Sequence, residues 1–338
     1  VGNRAAISGN IINYSAKKGY SLELQSGNKK KPIHISSKGH FNVNPILEDG
    51  TNFLTIQLSN NGVVVAKQPL ILFSKSSHGE SRELVMWVEQ FPNALELIDQ
   101  DAVAKMVERV KRAGFTAIGL DVKGPEGYVS YRKNDLSHSP YITASSNPKK
   151  HIAETGFDLL QTVLDEAHKA GLKVYTSFNF FTEGNITAND YAILNSHKDW
   201  EEIVQRPEDK GKLLRITEST RGKDAAKGKL IALAFINPSN KDAQDFQLLR
   251  VEEVLKNYDI DGIVLDRCRY DNLYADFSNV SRNAFEDYLH AKGKKLDNFP
   301  NDAFKINQSG TLEKGKHYLE WITFRSQTIA DFTDRVRL

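Results

Sequence analysis

The sequence predicts a small all-β sandwich followed by a larger α/β domain built on a parallel sheet. Three observations predict it. The first 75 residues hold short alternating or apolar runs broken by turn residues, with no helical period. Beyond residue 83, strand-like and helical patterns alternate four times. Each of these later strand-like runs ends in a polar residue, Glu89, Asp121, Asn179 and Asp266, and ligands of parallel sheets bind beyond the carboxyl ends of the strands. The expected division is 1–75 for the sandwich, 76–83 for a polar linker and 84–338 for the α/β domain.

In the first region, Ala6-Ile7-Ser8, Tyr20 to Leu24, Lys31 to Ile35, Phe41 to Val43, Phe53 to Leu58 and Val63 to Phe73 read as strands. Ser26-Gly27-Asn28, Glu48-Asp49-Gly50 and Asn60-Asn61-Gly62 are turns, the last a strong hairpin signal. Lys29-Lys30-Lys31 reads as a solvated loop. In the second region, Leu84 to Val88 opens the sheet. Asp101 then reads as a helix N-cap ahead of Val103, Met106, Val107 and Val110, and Gly114 closes the helix. Phe115 to Val122 is a buried strand. Leu159, Leu160, Val163, Leu164 and Ala167 form the next helix face, and Leu172 to Phe178 the third strand. Residues 182–235 are a long insertion with a charged stretch from Glu201 to Lys229. A helix over 241–258 leads into a fourth strand, Gly262 to Leu265, and a last helix carries Trp321, Phe324, Ile329 and Phe332. Periodicity alone does not separate an open sheet from a closed barrel.

Composition narrows the function. The chain has 338 residues, 40% hydrophobic and 26% charged, which excludes collagen-like and low-complexity scaffolds. No apolar run approaches the ~20 residues of a membrane-spanning helix. The net charge of +2 does not point to nucleic acid, although residues 1–75, with nine basic and three acidic side chains, carry +6 and leave −4 for the rest. No glycine-rich phosphate cradle follows any strand. His138, His151, His197 and His317 lack metal-ligand spacing, so neither metal nor cofactor is expected. Cys268 reads as a small buried residue. Val1 is not an initiator methionine, and an upstream segment is expected to have preceded it.

The chemistry concentrates in Asn237-Pro238, a helix, and then Asp261-Gly262-Ile263-Val264-Leu265-Asp266-Arg267-Cys268-Arg269-Tyr270-Asp271. A strand-end carboxylate beside two arginines is held ionised, which suits a nucleophile or charge stabiliser and equally suits a structural Arg–Asp network. Asp121 and Lys123, two apart on a strand, would share a face as a substrate-positioning pair. Glu89 and Glu183 are further candidate acids. Asn179 would bond a sugar hydroxyl or satisfy a loop. Trp87, Tyr131, Phe180, Phe181, Tyr270 and Tyr274 fall at strand ends or in the loops after them, where rings can stack on sugars or pack the core.

These segments resemble the glycoside-hydrolase-like TIM-barrel proteins related to the alpha-amylase clan. Asn237, Pro238, Asp261, Gly262, Ile263 and Asp266 match their fourth-strand pattern. Asp121-Val122-Lys123 with Gly127 to Tyr131 is similar to their second-strand motif, and Val174 to Asn179 to their third. The resemblance covers roughly 85–275 and implies a (β/α)8 barrel of which the chain holds the first four units. The family's general acid, after the fifth strand, is then expected beyond Leu338. It further implies a glycoside hydrolase acting outside the cytoplasm on a polysaccharide or oligosaccharide, with Asp266 and Asp121 catalytic. Trp87, Glu89, Lys123, Tyr131, Asn179, Asn237, Arg267, Arg269, Tyr270 and Asp271 would form the groove. The alternative is a barrel that binds glycan without cleaving it.

Overall fold

The computed structural model describes residues 3–27, 29–48, 50–74, 83–150, 152, 154–307 and 309–337. Asn28, Asp49, His151 and all of the expected linker except Glu83 lie outside the described residues. The chain divides into two compact units, Val1–Arg82 and Glu83–Leu338.

The first unit is antiparallel. Its four-stranded sheet runs in the order Lys29–Ile33, Tyr20–Ser26, Gly50–Asn60 and Val63–Ser74, and Ile7–Asn10 pairs with His40–Val43. Asn61 and Gly62 take φ of 47° and 83°, the pair of positive values that a two-residue hairpin turn needs and that asparagine and glycine adopt most readily. Alternate residues converge on one core of Leu22, Leu24, Ile33, Val43, Leu54 and Ile56. Lys29, Lys30 and Lys31, expected in a loop, lie in the edge strand, where charged side chains discourage pairing with another chain.

In the second unit, β1 (Val85–Val88), β2 (Ala117–Lys123), β3 (Lys173–Asn179) and β4 (Gly262–Asp266) form a parallel sheet in chain order. Helices α1 (Gln100–Arg112), α2 (Leu159–Lys169) and α3 (Lys241–Asn257) make the crossovers. The apolar stripes of α1 (Val103, Met106, Val107, Val110) and α2 (Leu159, Leu160, Val163, Leu164) are buried in one core with Ile118, Leu120, Val122 and Val174 of the sheet, each contributing about 1.5–3 kcal/mol of burial. The N-cap of α1 is Asp99, not Asp101. The Asp99 backbone is extended and its carboxylate accepts the Ala102 N–H at 2.9 Å, while Asp101 sits in the first turn, where the helix dipole favours it.

The insertion between β3 and α3 is ordered. It holds a small antiparallel sheet of Thr182–Asn185, Asp190–Tyr191 and Leu233–Phe235, and a hairpin of Ile203–Gln205 with Leu213–Arg215. After β4 the expectation of a single helix is incomplete. Helix α4 (Asn279–His290) and a short hairpin precede α5 (Tyr318–Arg337), and Phe277, Phe285, Leu289, Phe304, Trp321 and Phe324 form a separate core. Among the described residues, no helix is long and apolar enough to cross a membrane.

Candidate functional site

Sheet register decides which side chains meet. Trp87, Gly119, Tyr175 and Gly262 stand opposite one another across the four strands. A Cβ on Gly119 would lie 2.9 Å from the Trp87 ring, and one on Gly262 3.0 Å from the Tyr175 ring. The two glycines therefore make room for two aromatic rings on one face of the sheet. The Asp261-Gly262 step is thus structural. Asp261 accepts the Val174 N–H at 2.7 Å, tying the base of β4 to β3, and Gly262 clears the ring.

Two residues further along the same face stand Asp121, Ser177 and Val264, and then Asn179 and Asp266. Asp121 is 6% exposed. Burial pushes its carboxyl up to about 6; the Ser177 hydroxyl opposes the shift, and the charges of Asp266 and Glu89 reinforce it. Its Oδ1 has no hydrogen-bond partner of good geometry among the described residues; the Ser177 hydroxyl stands opposite it on β3. Asp266 is more open, its side chain 39% exposed, and its Oδ1 accepts the Arg267 N–H at 2.8 Å. Glu89, at the end of β1, is exposed. Three carboxylates thus gather at the carboxyl rim of the sheet, one of them buried and titrating near pH 6. Two strand spacings and a two-residue offset put the Asp121 and Asp266 Cα atoms about 12 Å apart.

Arg267 turns the chain just past Asp266 with φ of 46°, a left-handed conformation costing about 1–2 kcal/mol for a side-chain-bearing residue. Several bonds hold it: the Asp266 carboxylate on its N–H, the Phe181 N–H on its carbonyl at 3.3 Å, and its own Nε donating to Asn179 Oδ1 at 2.6 Å. Asn179, 1% exposed, also donates from Nδ2 to the Lys123 carbonyl at 3.1 Å. Its amide, buried, braces β2 to β4 with one bond from each end.

Several other expected groove residues are internal. A register shift between Asp121 and Lys123 breaks the expected pairing of these two side chains. Lys123 instead forms a fully buried ion pair with Glu183 at 3.1 Å, and Arg250 joins the same carboxylate. Burial lowers Lys123 to about 8 against the opposing Glu183 charge. Burial alone would raise Glu183, but Arg250 and Lys123 overcome it and hold the carboxyl below its usual range. Glu183 is therefore no partner for Asp266. Tyr131 is fully buried and donates to Glu253 at 2.7 Å. Tyr270 is buried with its hydroxyl 2.8 Å from Ser239 Oγ. Asn237 clasps Ser278, Ser281 and the Ser239 N–H. Phe180 and Phe181 pack on Phe332. Trp87, 42% exposed, lies one layer below the carboxylates. Cys268 is half-buried against the core.

Arg267, Arg269 and Asp271 open into a pocket of about 380 Å³ shared with Arg206, Arg221 and Phe235. Asp271 pairs with Arg206 at 2.7 Å, and its N–H is held by the fully buried Glu202 at 3.1 Å. Burial, with Asp271 and Asp276 nearby, raises the Glu202 carboxyl well above its usual range. The sequence reading missed Arg206, Arg221 and Glu202. In one dimension they belong to a charged stretch, and only the apolar pair Ile203-Val204 hinted that part of it is buried.

Residues 84–337 match the family model described as glycosyl hydrolase-like 10. Over 332 residues the chain is 39% identical to an S-layer-related protein of Niallia circulans, an alignment covering 98% of this chain and 20% of that protein. It is 27% identical over 178 residues to the glycosyl hydrolase DigH of Escherichia coli K12, covering 52% and 36%. With the glycosyl hydrolase YngK of Bacillus subtilis 168 it shares 23% over 228 residues, covering 64% and 38%. The chain thus spans a fifth to under two fifths of the length of these relatives. With the match running from the first residues of the parallel sheet to the last helix, the second unit places the chain in the glycosyl hydrolase-like 10 family.

Proposed function

We propose that the chain supplies carboxylates and part of the groove of a glycoside hydrolase that cleaves a polysaccharide or oligosaccharide outside the cytoplasm. The observation that carries this is the rim cluster of Asp121, Asp266 and Glu89, in which burial and neighbouring charge set one carboxyl near 6. Glycoside hydrolysis needs two carboxyl groups with different proton affinities, one to hold a proton and one to stay ionised against the developing oxocarbenium charge. Asp266, open to solvent and bonded to the Arg267 N–H, is the nucleophile or base. Asp121 is the group whose proton is available near neutral pH. Four parallel strands in chain order are how a (β/α)8 barrel begins, and we read the sheet as that first half, with its carboxyl rim as the site. The S-layer-related relative supports the location.

The test is reducing-end release from a panel of bacterial and plant polysaccharides by the full-length gene product, beside its Asp266→Asn and Asp121→Asn variants. Release that falls at least a thousandfold in Asp266→Asn, on the scale of ~10⁴ for loss of a catalytic group, supports the reading. Release surviving in both variants refutes the assignment of these carboxylates. Glycan binding without release turns the reading to a non-catalytic binding protein.

A further inference from the structure

The pocket beyond Asp266 is out of electrostatic balance. Four arginines, Arg206, Arg221, Arg267 and Arg269, line it with one carboxylate, Asp271, which is already paired with Arg206 at 2.7 Å; Glu208, outside the lining, also lies 3.9 Å from Arg206. Arg206 is built in. Its side chain is 4% exposed, and its Nε has no hydrogen-bond partner among the described residues. Arg269 donates to the Tyr270 and Asp271 carbonyls and lies over the Phe235 ring. These contacts hold its guanidinium without neutralising it. Arg221 is exposed, and no carboxylate lies within 4.0 Å of it or of Arg269 among the described residues. Arg267 links this pocket to the carboxylates, with Nε 4.0 Å from Asp266 Oδ2.

Planar guanidinium groups match the two-oxygen edge of a carboxylate, phosphate or sulfate, and gathering four of them with only two, Arg206 and Arg267, near a carboxylate costs energy that a bound oxyanion relieves. A neutral sugar would leave the repulsion in place. The volume, about 380 Å³, is in the range of small-ligand sites, ~300–1,000 Å³.

We propose that this pocket is an anion subsite, so that the glycan bound at Asp266 carries an oxyanion substituent on a sugar beside the one at the carboxylates. The proposal rests on the glycan reading above and names its substrate class, an acidic polysaccharide.

The experiment is calorimetric titration of the full-length protein with four probes: an oligogalacturonide, a sulfated oligosaccharide, a neutral cello-oligosaccharide of matched length, and inorganic phosphate. Each is repeated with Arg221→Gln, Arg221→Lys and Arg269→Gln after confirming unchanged Tm. The expected result is an acidic oligosaccharide binding about tenfold tighter than the neutral one and weakening with salt, with about fivefold loss in each Gln variant and, in Arg221→Gln, none for the neutral probe. Partial recovery is expected in Arg221→Lys, which keeps the charge and loses the fork. The stronger of the two acidic probes identifies the oxyanion. Equal affinity for acidic and neutral probes overturns the subsite and leaves the hydrolase reading standing, as does an acidic preference unchanged in the Gln variants. Phosphate binding that is lost in Arg221→Gln, with no oligosaccharide bound, overturns the acidic-glycan assignment together with the glycan reading and leaves a site for a free oxyanion. No binding of any probe by folded protein overturns the proposal.

Discussion

Replacing Asp121 with asparagine should stabilise the second unit at pH 8 and leave its stability unchanged near pH 4. In the native chain the Asp121 carboxyl is raised from the ordinary aspartate value of 3.8 to about 6, chiefly by burial. The unfolded chain releases this proton near 3.8 and the native one near 6. Between those values the unfolded state binds fewer protons, and stability falls as pH rises. The contribution of the protonated group is therefore complete below about pH 4 and gone above about pH 6. A shift of about two units corresponds to about 3 kcal/mol of penalty on the ionised form. Asparagine has the same shape and no charge to desolvate, so it should recover up to about 3 kcal/mol at pH 8, or about 6–12 °C in Tm for a unit of this size. The assay is urea unfolding at pH 4 and pH 8 followed by tryptophan fluorescence. Trp87, Trp200 and Trp321 all lie beyond residue 83, so the signal reports this unit alone. A stability difference between wild type and Asp121→Asn that is the same at both pH values would refute the reasoning, because the variant's effect would then not come from ionisation. The expected stabilisation with loss of glycan hydrolysis is the pattern of a site held against the preference of the fold.

Other outcomes can be checked by the same unfolding signal. Glu183→Gln leaves Lys123 and Arg250 as buried, uncompensated cations and should cost about 3–5 kcal/mol at pH 7. Deprotonation of Lys123 should relieve part of that cost, so the variant should gain stability as pH rises through 8–10, and no gain would count against the buried pair. Gly127→Ala should cost at least about 3 kcal/mol, since φ is 99° and the new Cβ would lie 2.2 Å from Glu183 Oε2. Asn179→Ala removes the bonds to Arg267 Nε and to the Lys123 carbonyl. It should cost about 1–3 kcal/mol in urea unfolding and lower glycan hydrolysis, because the strained turn after Asp266 loses a brace.

The strands and helices of the second unit were legible because each apolar stripe recurs at the period of its own element. Val103 to Val110 and Leu159 to Ala167 announce helices, and the continuous runs ending at Asp121 and Asp266 announce strands, the first buried and the second a half-buried edge. Helix α4 was not legible. Its buried Phe285 and Leu289 face Trp321 and Phe324, tens of residues away, and a weak stripe shows its purpose only beside its partner. At the rim, the strand-end carboxylates could be found in one dimension. The roles of Lys123, Tyr131, Asn179, Asn237 and Tyr270 could not, because a polar side chain near a strand end looks the same whether it faces solvent or a buried partner such as Glu183 or Glu253.

The sequence by itself determined the alternation of the four parallel strands with their crossover helices and the carboxylates that end three of them, since these follow from local periodicity and chain direction. The tertiary structure alone decided which charges stay buried and paired, that burial pushes the Asp121 carboxyl up to about 6, and that four arginines from three separate segments meet in one pocket. Solvation and charge depend on the distance between groups in space, and residues 206, 221 and 267–269 acquire their mutual distances only when the chain folds.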